Sequence, residues 1–149
     1  MPALRPARPA DAPAVTALVR AAYARWVPRL GREPAPMTED DAALIAAGAV
    51  TLLEDAGRLS GVLVLVPGPD ALLIENVAIA PAAQGRGLGG LLLAEAERVA
   101  RALGHRRLWL YTNAAMTENI GFYARRGFVE TRRATEHGLH RVYMEKPLD

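Results

Sequence analysis

The chain has no cysteine, a single lysine and no long apolar run. Without cysteine there is no disulfide staple, no thiolate zinc or iron–sulfur site and no thiol nucleophile. Apolar stretches such as Gly61 to Val66 and Leu91 to Ala94 fall far short of the ~20 residues that cross a bilayer. The opening segment MPALRPARPADAP has two early arginines but no following apolar stretch of ~7 to 15 residues, so it does not read as a secretory signal. A cytoplasmic location is expected. The lone lysine, Lys146, lies far from any glycine-rich turn, which removes a Walker-type phosphate loop.

At 149 residues the chain has the length of one domain, expected to span 1–149. Hydrophobic residues make up 51% and charged residues 23%, enough apolar material for a sizeable core. The remaining 17 basic residues are arginines scattered through the chain, and the formal charge is only +2. That balance suits an anionic small ligand, and neither nucleic acid nor a membrane is expected as a partner. His105, His137 and His140 lack metal-ligand spacing and read as surface residues, so no metal is expected.

Apolar spacing predicts a first helix from Asp11 through Tyr23 and a second from Thr38 to Gly48. The period then changes. Val50 to Glu54 and Leu59 to Val66 read as a hairpin, and Ala71 to Ile79 as a third antiparallel strand. A strong amphipathic helix follows Pro81, with Leu88, Leu91, Leu92, Ala96, Val99, Ala100 and Leu103 on one face and Gly104 closing it. Arg107 to Tyr111 supplies a strand parallel to the third, a helix follows over Thr117 to Arg126, and a hairpin turns at His137-Gly138. The fold class is α+β, with helices packed on a mixed sheet.

The most informative stretch runs from Glu75 through Gly90: a strand, a loop with four glycines in six positions, and a helix start. A helix N-terminus approached by glycines offers free N–H groups and the positive end of the helix dipole, which suits a pyrophosphate. Gly85, Gly87 and Gly90 match G-x-G-x-x-G, yet about 20 residues on, where a dinucleotide site carries an acid, stands His105-Arg106-Arg107. The glycines also come five residues after the strand, where a dinucleotide turn is tight.

The run Val77-Ala78-Ile79 to Pro81, then Gln84-Gly85-Arg86-Gly87-Leu88-Gly89, resembles the Q/R-x-x-G-x-G/A motif of the GNAT superfamily of N-acyltransferases. A second feature, Thr117 to Phe128, is similar to that family's N-x-x-x-x-F/Y-Y-x-x-x-G-F pattern, although Asn119 here stands four residues before Tyr123. The resemblance implies a mixed, mostly antiparallel, splayed sheet with helices on both faces, and acetyl-CoA as acyl donor. It implies that Gln84, Gly85, Arg86, Gly87, Leu88, Gly89 and Gly90 bind the pyrophosphate, and that backbone groups of Val77, Ala78 and Ile79 bind the pantetheine arm. An N–H near them would meet the thioester oxygen.

Direct attack by an amine expels a thiolate, so a proton donor helps. Tyr123, protonated at neutral pH, is the candidate, as the family's equivalent tyrosine implies. Asn119 lies one turn before it on the same face and is a candidate for the cofactor arm. An alkylammonium acceptor must lose a proton, and Glu75, the carboxylate of the strand entering the motif, is the candidate base, placed by alternation on the face of Val77 and Ile79. The acceptor is expected to be a small-molecule or protein amine. A non-catalytic acyl-CoA-binding or sensing module is the alternative, and a homodimer paired through the edge of the final strand stays open.

Overall fold

A computed structural model describes residues 1–149. Strands β1 (Ala3–Pro6), β2 (Val50–Asp55), β3 (Arg58–Pro67), β4 (Leu72–Ile79), β5 (Arg107–Asn113), β6 (Val129–Glu136) and β7 (Leu139–Pro147) form a 7-stranded sheet in the order β1-β2-β3-β4-β5-β7-β6. Every pairing is antiparallel except β4 with β5. The helices are α1 (Ala12–Tyr23), α2 (Val27–Leu30), α3 (Asp41–Ala46), α4 (Leu88–Ala102) and α5 (Thr117–Ala124). None is long and apolar enough to cross a membrane.

The alternation of β2 and β3 buries both faces. Leu52, Val62 and Val64 point toward α1, where they meet Val15 and Val19. Leu53, Leu63 and Leu65 point the other way, into a cluster with Leu92, Ala96 and Ala100 of α4 and with Leu108 and Leu110 of β5. Each of these leucines and valines contributes roughly 1.5–3 kcal/mol by leaving water. Two-residue turns with positive φ close two hairpins, Ala56-Gly57 at 54° and 76° and His137-Gly138 at 52° and 77°. That handedness matches the twist of the strands they join.

Several expectations shift. Leu91 and Leu103 are 45% and 51% exposed, so the buried stripe of α4 is the i, i+4 series Leu88, Leu92, Ala96 and Ala100, with Leu93 beside it. Asp11 does not cap α1: its carboxylate accepts from the Arg8 N–H and pairs with Arg5, fastening the short turn before the helix. The second helix starts at Asp41, capped by Asp40 through the Ala43 N–H at 3.1 Å, while Thr38 bonds back to the Ala35 carbonyl. His105 is half-buried and its Nε2 has no partner. The final strand β7 lies between β5 and β6 and has no free edge, so the open edges of the sheet belong to β1 and β6.

The feature that makes a site is a gap. β4 and β5 pair only at Leu72–Leu108 and Leu73–Trp109; beyond them the strands part. A β-bulge sits beside this gap, because Val64 pairs with Asn76 and Leu65 with Ile74, leaving Glu75 as the extra residue. The bulge flips the alternation. Ile74, Val77 and Ile79 pack toward α4, whereas Asn76 and Ala78 point toward α1. Glu75 therefore points to the side of Asn76, opposite the face of Val77 and Ile79 on which strict alternation places it.

Candidate active site

Two cavities meet in the gap. The larger, about 500 Å³, is a cleft between β4, the glycine turn and α5, and the smaller, about 70 Å³, lies between β4, β5, α2 and the chain that follows it. Tyr23, Val77, Asn119 and Tyr123 line both. The site is thus a passage with Tyr123 at its junction.

On the cleft side, Val77, Ala78 and Ile79 form one wall and Gln84, Gly85, Gly87, Leu88, Gly89 and Gly90 another. Gly85 and Gly87 take φ of 81° and 79°, a conformation that side chains disfavour, and Gly87 is the residue from which α4 starts. No side chain caps the first N–H groups of α4. The Gln84 amide donates to the Ile79 carbonyl at 3.2 Å and ties the loop to the strand. Arg86 does not line the cleft; its guanidinium lies 3.7 Å from Asp55.

The cleft's cationic residues are Arg25, Arg125 and Arg126. Arg126 lies with Cζ 3.9 Å from the Phe122 ring centre and donates to the Phe122 carbonyl at 3.1 Å. Glu118, also on the cleft, is already paired: Arg29 donates to it at 2.8 Å, and with Thr117 holds its carboxyl at about 2. These arginines went unnoticed in the sequence, although Arg125-Arg126 stands inside the second motif, and a four-residue step from Phe122 puts Arg126 beside Gly90. Free helix N–H groups, left-handed glycines and unpaired guanidinium groups are the donor set that a pyrophosphate needs, so the cleft fits a CoA-type ligand.

At the junction, Tyr123 is 9% exposed and packs edge-on against Phe122 and Phe128. Its hydroxyl has no partner in the protein, and burial alone pushes it up to about 12. Tyr23, the last residue of α1, donates to Asn76 Oδ1 at 2.7 Å and approaches the Val77 carbonyl at 3.2 Å. Burial pushes its phenol far above the ordinary range. Asn119 stands on the face of α5 that carries Tyr123 and lines both cavities.

On the small-pocket side, Glu75 faces the Tyr111 hydroxyl at 3.5 Å, with Arg141 and Glu39 nearby. Burial raises its pKa first and the charge of Glu39 next, against the lowering influence of Tyr111 and Arg141. Thr112 and Asn113 line the same pocket.

The sequence profile of the Acetyltransferase (GNAT) family matches residues 15–128. N-alpha-acetyltransferase 80 of Mus musculus is 40% identical over 81 residues, which is 54% of this chain and 24% of that protein, so the chain spans about a quarter of the length of that curated relative. The PaiA N-acetyltransferase of Thermoplasma acidophilum, solved in complex with coenzyme A, superposes with a TM-score of 0.82 at 16% identity over 99% of both chains. A GCN5-related N-acetyltransferase from Rhodopseudomonas palustris superposes with a TM-score of 0.79 at 28% identity, over 99% of this chain and 96% of that one. With a profile match over most of its length and the splayed sheet to go with it, the chain belongs to the GNAT acetyltransferase family.

Proposed function

We propose that the protein transfers an acetyl group from acetyl-CoA to a primary amine by direct attack, in the cytoplasm. The observation that carries this reading is the junction: one residue with an unpartnered, protonated hydroxyl, Tyr123, lines both the cleft suited to CoA and the pocket containing Glu75. Bound acetyl-CoA supplies the activated acetyl thioester. The chain's own groups then handle protons. Glu75, its pKa raised by burial and by the charge of Glu39, accepts a proton from the acceptor ammonium. Tyr123 Oη donates one to the departing sulfur. Arg25, Arg125, Arg126 and the free N–H groups of α4 hold the phosphates, and the unpaired edge of β4 beyond Leu73 offers backbone groups to the pantetheine arm. Asn119 orients that arm from α5.

Tyr123→Phe separates a catalyst from a sensing module. The ring packing is kept and only the hydroxyl is lost, so acetyl-CoA affinity by calorimetry should stay within about twofold while thiol release in the presence of amine falls ~10²-fold or more. A parent protein that binds acetyl-CoA tightly yet acetylates no amine would establish the sensing role instead.

A further inference from the structure

We propose that Arg141 is a specificity-determining residue: with Asn113 it holds a carboxylate of the acceptor while Glu75 takes the ammonium, so that the acceptors are small amino acids in preference to uncharged alkylamines. The inference rests on the amine-acetylation reading above and names its substrate class.

Among the residues that line the small pocket, only Glu75 and Arg141 carry charge. They come from β4 and β7, the strands on either side of β5. One side chain of β5 connects them: the Arg141 guanidinium stacks 4.5 Å from the ring centre of Tyr111, whose hydroxyl reaches Glu75 at 3.5 Å. The two charges do not pair with each other. Arg141 stands instead 3.6 Å from Glu136, too far for a strong hydrogen bond, and that same Glu136 oxygen already accepts from the Tyr143 hydroxyl. The guanidinium thus keeps its donors free although its side chain is only 19% exposed. Opposite charges held apart on the wall of one cavity complement a ligand that carries both charges itself.

Asn113 adds a second donor by an independent route. It is the cross-strand partner of Arg141 in the β5–β7 ladder, so the two side chains leave the sheet on one face. Its Oδ1 accepts from the Ala115 N–H at 2.9 Å, and its amide N–H groups are left without a partner in the pocket that it lines. A guanidinium beside an amide is a donor set for a carboxylate, which arginine binds through two parallel bonds. Glu75 stands two residues before Val77, which lines both cavities, whereas Arg141 and Asn113 line the small pocket alone. The amine end therefore lies toward the acetyl donor. Leu30, Pro34, Pro36 and Leu139 close the remaining walls, and the space of about 70 Å³ is roughly half of a ~150 Å³ cavity that accepts benzene. A short spacer between amine and carboxylate fits; a long side chain does not.

The test measures thiol release from acetyl-CoA with glycine, β-alanine and 4-aminobutanoate, each beside its own carboxamide, which keeps the amine and the shape and removes the charge. In the parent at least one acid should exceed its amide about tenfold or more in kcat/KM, since a site built to bond a group rejects the analogue lacking it. Arg141→Gln should raise the KM of that acid about tenfold and bring acid and amide within about threefold of each other, with calorimetric affinity for acetyl-CoA held within about twofold because Arg141 does not line the cleft. Arg141→Lys, which keeps the charge without the planar fork, should recover part of the preference. Amides used as well as their acids by the parent, or an acid preference that survives in Arg141→Gln, overturns the carboxylate site while amine acetylation stands. A parent that binds acetyl-CoA but acetylates no primary amine overturns both.

Discussion

Glu75, the proposed base, shows how one side chain can cost stability in the pocket it lines. Its pKa is raised in the folded protein by burial and by Glu39, so the folded state resists its ionisation. Below the ordinary glutamate value of ~4.3 both folded and unfolded chains hold the proton and no penalty exists. As pH rises through that value the unfolded chain ionises freely while the folded one lags, and stability is lost until the raised value is passed. Glu75→Gln is therefore expected to be more stable than the parent at pH 7, with the gap closing near pH 4, measured by urea unfolding at both. Its acetyl transfer should fall about 10²-fold, the scale of a removed general base. A glutamine variant less stable at pH 7 would mean that the hydrogen bond from Tyr111 and the attraction of Arg141 outweigh desolvation. The identity of this residue was legible in the sequence, and its direction was not. Alternation assumes an unbroken ladder, and the one-residue bulge that turns Glu75 toward Asn76 leaves no mark in a run of strand formers.

At the scale of elements, periodic segments were the readable ones. β2, β3, β4, β5 and α4 lie within one or two residues of where period and turn chemistry place them, since each must bury a continuous face. The missed elements are short. β1 is four residues ending in Pro6 on a sheet edge, and α2 is a single turn of four residues carrying Pro28. Neither is long enough to show a period. The glycine turn was legible as the approach to a helix start, but its glycines do different work, and alanine substitution distinguishes them. Gly87 is left-handed with open space around it, so Gly87→Ala should cost ~1–2 kcal/mol through backbone strain alone. At Gly89 an added Cβ would lie 2.8 Å from Phe122 Cζ, so Gly89→Ala should cost about 1–3 kcal/mol by forcing the ring away, and should weaken acetyl-CoA binding because Phe122 lines the cleft. Gly90 has ordinary room, its nearest neighbour being Arg126 at 3.6 Å, so Gly90→Ala should be stabilising by up to about 1 kcal/mol through helix propensity. Urea midpoints rank the three; a Gly89→Ala variant as stable as Gly90→Ala would show that α5 is free to move off the turn.

Over the whole molecule, two cores share one sheet, and the candidate site lies where that sheet is weakest. The α1 cluster and the α4 cluster lie on opposite faces of β2 and β3, so the N-terminal half is clamped from both sides. The β5-β7-β6 half joins it through α4, α5 and only two paired positions at the closed end of the gap. Part of the edges of β4 and β5 facing each other is therefore left without sheet hydrogen bonds, and a ligand bridging the gap would tie the halves together. Acetyl-CoA at a hundred times its dissociation constant should add ~2.7 kcal/mol of stability, which for a chain of this size is a rise in Tm of roughly 5–10 °C. Hydrogen exchange locates that gain. Amides of Asn76 to Ile79 and Leu110 to Asn113 should slow on binding, together with those of the α4 start, while the β1–β2 pair, away from the gap, keeps its rates. Uniform slowing over all seven strands would mean that the sheet opens only by global unfolding and that the gap is no weaker than the rest. Protection confined to Gly85 to Gly90 would mean that the phosphates bind without the arm entering the gap, and Tyr123 would then stand too far from the sulfur to serve as its proton donor.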